Sequence, residues 1–361
     1  PWATPDDLGS LNNDTLNTTH RMITQEGYDS CGTSLAPAGS LILSTRAPIG
    51  HLALAGTSLC TNQGCRSLVF RADAEKRFYY YQLLTAKQEL GSWGQGSTFR
   101  ELSRDKLGSI FLATPSFREQ RVIVSFLDRE TSRIDDLIGK KQRQIEILQE
   151  KRSALISHVV TKGLDPDVKM KDSGVEWLRE IPEHWAIHSI KRVSTRIQTG
   201  CTPPTAEERY YELGTIPWYG PGSFGTNLIL SEPTKLLNED SVREGAARIF
   251  AEDSVMVVTI GATIGKVGYL ASPASSNQQI TAISPNQNEV SGKFLAYQLK
   301  RLEPVLRGIA PSTTLPIMDQ QELGSLPCAL PGLDEQKRIV QHIDLQSQKI
   351  DRMVETIRKS I

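Results

Sequence analysis

The sequence predicts an α/β protein: two mixed α/β domains separated by two long antiparallel coiled-coil helices and related by an internal pseudo-two-fold repeat. Three observations carry this. Residues 116–160 read as one uninterrupted, highly charged helix with apolar positions in alternating steps of three and four. A second stretch of the same kind closes the chain, displaced by 216 positions. The regions ahead of the two helices match each other in register, and each contains short β-branched runs broken by Gly, Pro, Ser and Asn.

In chain order, residues 1–115 form the first domain. Pro1-Trp2 aligns with Pro217-Trp218, Leu8-Gly9 with Phe224-Gly225, Tyr81-Gln82-Leu83 with Tyr297-Gln298-Leu299, and Leu107-Gly108 with Leu323-Gly324, always 216 apart. Between them, residues 41–50 lie over 256–265, and Asn62-Gln63 over Asn277-Gln278, 215 apart, so a one-residue gap is expected. A register this constant marks a duplication. Residues 177–216 have no counterpart ahead of Pro1, so the chain is expected to begin partway through its first domain.

Residues 116–162 form the first long helix. Pro115 and Ser116 open it, Glu119 completes a capping box, and Gly163 stops it. Val124, Leu127, Thr131, Ile134, Ile138, Lys141, Ile145, Leu148, Arg152, Leu155 and Val159 make a coiled-coil seam. Such a rod is about 66 Å long. The seam returns as Val340, Ile343, Ser347, Ile350, Val354, Ile357 and Ile361 in the second long helix, residues 332–361. A pseudo-dyad relating the repeats reverses one helix against the other, hence the antiparallel pairing. Residues 163–183, rich in charge, Gly and Pro, are a connector whose Trp177, with Trp185 just beyond, docks on the second domain, residues 184–331.

Composition excludes several classes. Lysine plus arginine equals aspartate plus glutamate, 41 against 41, so no basic field advertises a free-standing nucleic-acid binder. A reader of bases whose partners supply the phosphate contacts remains open. No apolar run reaches membrane-spanning length and the first residues lack a signal-peptide pattern, so a cytoplasmic protein without membrane contact is expected. The five cysteines form no CxxC pair, which suits a reducing compartment. Cys60 and Cys65 near His51 lack a second pair of ligands, so no metal and no cofactor are expected.

Motifs with self-contained chemistry fail on spacing. Residues 261–267, GATIGKV, are one residue short of a phosphate-binding loop, with Val267 where a hydroxyl belongs. Asp165, Asp167 and Lys169 offer the Asp-x-Lys of a metal-dependent nuclease, but in a connector with no strand to hold them. What remains is a set of polar loop residues able to hydrogen-bond base edges or phosphates. In the first domain these are Arg46, His51, Asn62, Gln63, Ser97, Thr98 and Arg100. In the second they are Thr202, Trp218, Tyr219, Ser223, Thr263 and Lys266, with Asn277, Gln278, Thr313 and Thr314.

The chain resembles the DNA specificity subunit of a type I restriction-modification enzyme. The resemblance rests on the helix openings P-x-x-x-E-Q (Pro115 with Glu119-Gln120, Pro331 with Glu335-Gln336), the connector DSGVEWLREIPEHW and the TGCTPP segment at 199–204. It covers essentially the whole chain. It implies a non-catalytic subunit with two target-recognition domains on double-stranded DNA. It also implies two methyltransferase (modification) subunits as partners, expected near Glu119, Gln120, Glu335 and Gln336, and a restriction/translocase subunit in the full complex. The repeat then implies two short, different half-targets flanking an unread spacer. The alternative is a single-chain nuclease using Asp165, Asp167 and Lys169, distinguished by whether the protein with magnesium alone cuts DNA.

Overall fold

The computed structural model describes residues 1–11, 13–46, 48–94, 101–309 and 316–361. They form two compact units, Pro1–Ile138 and Gly139–Ile361. In the first, strands Leu41–Ser44, Leu52–Ala55 and Cys65–Leu68 form an antiparallel sheet with Leu41–Ser44 in the middle, and Thr15–Leu16 joins parallel to Leu52–Ala55. The two inner strands are buried on both faces, which is why they read as continuous apolar runs. The alternation is still there. Ile42 and Ala53 face Ala3, Leu8 and Leu16, whereas Leu41, Leu43, Leu52 and Leu54 face Leu83 of helix Lys76–Thr85.

The second unit repeats this plan. Strand Val255–Val258 lies between Val267–Tyr269 and Ile280–Pro285, and Ser194–Thr199 pairs with the outer edge of the latter. Val255, Val257, Val267 and Ile283 pack toward helix Gly292–Arg301, and Met256, Val258, Ile280 and Ala282 pack on the opposite side. A second sheet holds Lys235–Leu237, Ile216–Tyr219, Ala274–Ser276 and Ile249–Phe250. Its parallel pair, Trp218 opposite Ser275, has a counterpart in the first unit, Trp2 opposite Cys60.

The strand register corrects the gapless alignment of 41–50 with 256–265. Leu41 pairs with Leu54 as Val255 pairs with Tyr269, so Leu41 is equivalent to Val255, not Met256. Thr45 and Thr259 confirm it: each donates its N–H across the strand, to Gly64 and Gln279, and each carbonyl accepts from the next segment, Leu102 and Met318. The extra residue falls in the turn before Gly265. A slip of one inside a strand would send every apolar side chain to the wrong face, so insertions collect in turns.

Each long helix is fastened to its globular neighbour by the same side chains. In the first unit Gln120 accepts from the Glu75 N–H at 2.9 Å and donates to the Pro115 carbonyl, and Asp128 accepts from Arg77 and, at 2.7 Å, from Tyr81. In the second, Gln336 accepts from the Ser291 N–H at 2.9 Å and donates to the carbonyls of Glu289 and Pro331. Asp344 there accepts from Lys293 and, at 2.7 Å, from Tyr297. Gln82 and Gln298 likewise bond the equivalent carbonyls of Ala113 and Ala329. Burial, then the hydrogen bond to Asp344, pushes the Tyr297 phenol far up, so it remains a donor.

The first long helix runs Phe117–Lys162 and the second Leu333–Lys359. Within the second unit they pair antiparallel: Lys141 donates to the Ser360 carbonyl, Ile145 packs with Ile350, Val354 and Ile357, and Arg152 pairs with Asp351. Val159 and Ile343 then enter the globular core. The seam positions differ in burial. Ile134 is 49 % exposed and Ile138 38 %, and every residue of 131–140 is exposed. Leu127 is half-buried, and Val124 packs on Phe78 and Tyr79 of helix Lys76–Thr85.

The connector is more ordered than its composition suggests. Strands Met170–Asp172 and Glu180–Pro182 pair antiparallel, while Leu178, Ile181 and Trp185 enter the core. Trp185 donates to Glu335 at 3.1 Å, and Trp177 accepts from Arg301 through its carbonyl. Gly163 sits at φ +75, the left-handed conformation that ends helices, against Glu335 and Trp185.

Candidate nucleic-acid interface

The sequence-derived residues separate into builders of loops and residues the loops expose. Asn62 and Asn277 are builders. Each folds its turn by accepting from the N–H two residues on, Gly64 in one unit and Gln279 in the other. Gln63 and Gln278 at the tips are exposed. Gln278 accepts from Thr202, which is also exposed, so residues 76 positions apart form one polar edge. Beside them, Arg248 donates to the Thr199 carbonyl at 2.6 Å and Gln320 to the Thr199 hydroxyl at 2.8 Å. Neither was legible in the sequence, since each is a lone polar residue in an unpatterned stretch. This edge combines amide, hydroxyl and guanidinium groups, the chemistry used to read base edges and phosphates.

Other expected contacts belong to the framework. Tyr219 is 4 % exposed, packs among Phe224, Leu230 and Met256, and donates to the Leu230 carbonyl; burial raises its phenol. Trp218 is buried with its indole N–H on the Cys201 carbonyl. Both sit at the buried end of strand Ile216–Tyr219. Half-buried Lys266 donates to the Phe224 carbonyl, and Ser223 bonds Thr234. Thr263 is half-buried in a turn flanked by Gly261 and Gly265, at φ +100 and +87.

In the first unit, Arg46 is exposed and paired with Glu101. His51 is half-buried, and burial, then nearby Lys87, lowers its pKa, which keeps it neutral. Ser97, Thr98, Arg100, Thr313 and Thr314 lie outside the described residues.

The expected partner contacts need the same correction. Gln120 and Gln336 are buried in the clamps described above, so they face their own chain. Glu119 remains at the surface as the cap of Ser116, held below the usual carboxylate range by the Ser116 hydroxyl and N–H. Glu335 is taken up by Trp185 and His184. In the connector, the Asp165 carboxylate accepts from the Asp167 N–H and so caps a turn. Among the described residues no three His, Cys, Asp or Glu side chains gather as metal ligands would. Cys60 and Cys65 are buried free thiols, and burial pushes Cys65 up to about 12. No described helix is long and apolar enough to cross a membrane.

A family model described as type I restriction modification DNA specificity domain matches residues 1–147 and 182–360. The type I restriction enzyme MjaIX specificity subunit of Methanocaldococcus jannaschii is 28 % identical over 269 residues, covering 73 % of this chain and 60 % of that protein. The EcoR124I/EcoR124II specificity subunit of Escherichia coli is 24 % identical over 249 residues, covering 67 % and 54 %. The chain thus spans between half and two thirds of these relatives' lengths. Two solved structures share the fold. One, a chain from work on complex assembly and conformational transition of the type I R-M system, has a TM-score of 0.67 at 19 % identity, over 91 % of this chain and 78 % of that one. The other, the HsdS subunit from Thermoanaerobacter tengcongensis, has a TM-score of 0.53 at 18 % identity, over 90 % and 76 %.

Proposed function

The chain belongs to the family of type I restriction modification DNA specificity domains, and on that premise we propose that it is a non-catalytic, cytoplasmic reader of double-stranded DNA. Each unit takes one half of a bipartite target. Two methyltransferase (modification) subunits supply the methyl chemistry, and a restriction/translocase subunit joins in the full complex. The observation that carries this reading is the doubled Asn-Gln turn, Asn62-Gln63 and Asn277-Gln278, held on duplicated frameworks. Two equivalent turns with different neighbours suit two different half-targets.

Exchanging residues 184–331 for those of a related subunit is expected to change one half of the methylated target and leave the other; a change in both halves would overturn the modular reading. Within the second half, Gln278→Ala is expected to weaken DNA binding by about 1–3 kcal/mol and relax one position. Tyr219→Phe is expected to lower stability by about 1 kcal/mol without altering the sequence read.

Spacing is expected to depend on the exposed helical stretch 131–140, which makes no core contact. Four residues inserted there add about 6 Å, close to two base pairs of DNA rise. Methylation mapping should find the same half-targets at a longer spacing, and full activity at the old spacing would reject this role for the helix.

A further inference from the structure

Given the DNA-reading role proposed above, on which this rests, we propose that segment 199–203 is a rigid arm whose task is to hold the Gln278 carboxamide in one orientation. Thr202, Tyr211 and Trp218 are then positioning residues for base reading in the second unit, acting through Gln278 and not by touching DNA themselves.

The arm is fixed through its backbone. The Thr199 carbonyl accepts from Arg248 at 2.6 Å, the Cys201 carbonyl from the Trp218 indole at 3.1 Å and the Pro203 carbonyl from the Tyr211 hydroxyl at 2.8 Å. Between them, the N–H groups of Gly200 and Cys201 donate to the carbonyls of Ile280 and Ser276. The sequence adds stiffness of its own. Proline fixes its φ and drives the residue before it to extended backbone, and Pro203-Pro204 imposes both from Thr202 onward.

The arm lies directly on the Asn277-Gln278 turn. A Cβ at Gly200 would collide with the carbonyl oxygens of Ser276 and Asn277, so only glycine permits the approach. The turn is fixed as well. The Asn277 N–H donates to the Tyr219 carbonyl, and the Asn277 carboxamide accepts from the Gln279 N–H at 3.1 Å and donates to the Gln279 side chain at 2.9 Å. In 199–203 and 276–279 the exposed residues are Thr202 and Gln278, and the Thr202 hydroxyl donates to the Gln278 carboxamide.

A glutamine alone on a turn samples many rotamers, and ordering it on binding costs part of the contact it makes. A hydrogen bond between two mobile surface side chains does little to help. Here Thr202 is anchored by the backbone bonds on either side of it, so it orders Gln278 before DNA arrives. Orientation decides what is read, because a carboxamide pairs with adenine through a donor and an acceptor together, and turning it over exchanges them. The Tyr211 ring packs with Trp218, Leu237 and Ala247 and lies 4.5 Å from the Lys235 ammonium, so removing its hydroxyl releases the Pro203 carbonyl while the ring stays in place. Burial raises the Tyr211 phenol, which keeps the proton it donates.

The test uses the full chain, assembled with its modification subunits, to methylate a random-sequence DNA library whose modified sites are then sequenced. Gln278→Ala should relax one base position. Thr202→Val should relax the same position, lowering discrimination by about fivefold or more with the melting curve in place, and Thr202→Ser should restore it. Tyr211→Phe should relax that position too, whereas Tyr219→Phe, which also strips a hydroxyl from a carbonyl, should not. In the Gln278→Ala background neither Thr202→Val nor Tyr211→Phe should add anything, because both act through Gln278. The proposal is overturned if Thr202→Val relaxes a different position, if its effect adds to that of Gln278→Ala, or if Gln278→Ala relaxes a position that Thr202→Val or Tyr211→Phe leaves sharp. Unchanged sites with Gln278→Ala would instead reject this edge as the reader, and the proposal with it.

Discussion

Gln336→Leu is expected to destabilise the second unit by about 3–5 kcal/mol. The side chain is fully buried, and its carboxamide is the sole described side-chain partner of three backbone groups: the Ser291 N–H and the Glu289 and Pro331 carbonyls. Leucine has nearly the same volume, so packing survives while those groups are stranded. An orphaned buried polar group costs about 1–3 kcal/mol, and the three share one site, so their costs add incompletely. Gln120→Leu repeats the experiment in the first unit with two stranded groups, the Glu75 N–H and the Pro115 carbonyl, and a correspondingly smaller loss. Chemical denaturation followed by tryptophan fluorescence measures both. If stability held and only methyltransferase binding fell, the glutamines would be partner contacts after all and the clamp would carry no energy.

The reason these glutamines were misplaced from sequence is physical. A polar residue in the first turn of a charged helix reads as surface, because periodicity reports hydrophobic faces and is blind to a side chain buried to satisfy backbone. The same blindness hid Tyr219, whose hydroxyl looks available but is consumed by Leu230 in the core. What periodicity does report came through clearly. The two long helices, the duplication and the turn at Asn-Gln follow from spacing alone, since a repeated fold repeats its turn and core positions. The strand alignment was one residue off because a stretch that is buried on both faces has no polar alternation to fix its parity. Arg248 and Gln320 carried no pattern at all, and only the folding of the chain brings them to Thr199.

Ile350→Asp is expected to cost about 3–5 kcal/mol, whereas Ile134→Asp should change stability by no more than about 0.5 kcal/mol. Sequence alone treats the two as equals, both apolar and both on the seam. Burial separates them. Ile350 is 4 % exposed and packs in a cluster with Ile145 and Val354, so an aspartate there loses its hydration without gaining a partner. Arg152 on the facing helix is already engaged with Asp351. Ile134 lies in the stretch 131–140, where solvent reaches every residue and a carboxylate stays hydrated. Asp136 and Asp135 are already tolerated beside it. Helix propensity differs little between isoleucine and aspartate, which leaves burial as the deciding quantity. Paired denaturation curves decide the matter: a large loss confined to Ile350→Asp supports burial as the deciding difference, and an equal loss from Ile134→Asp would mean that 131–140 is covered in solution.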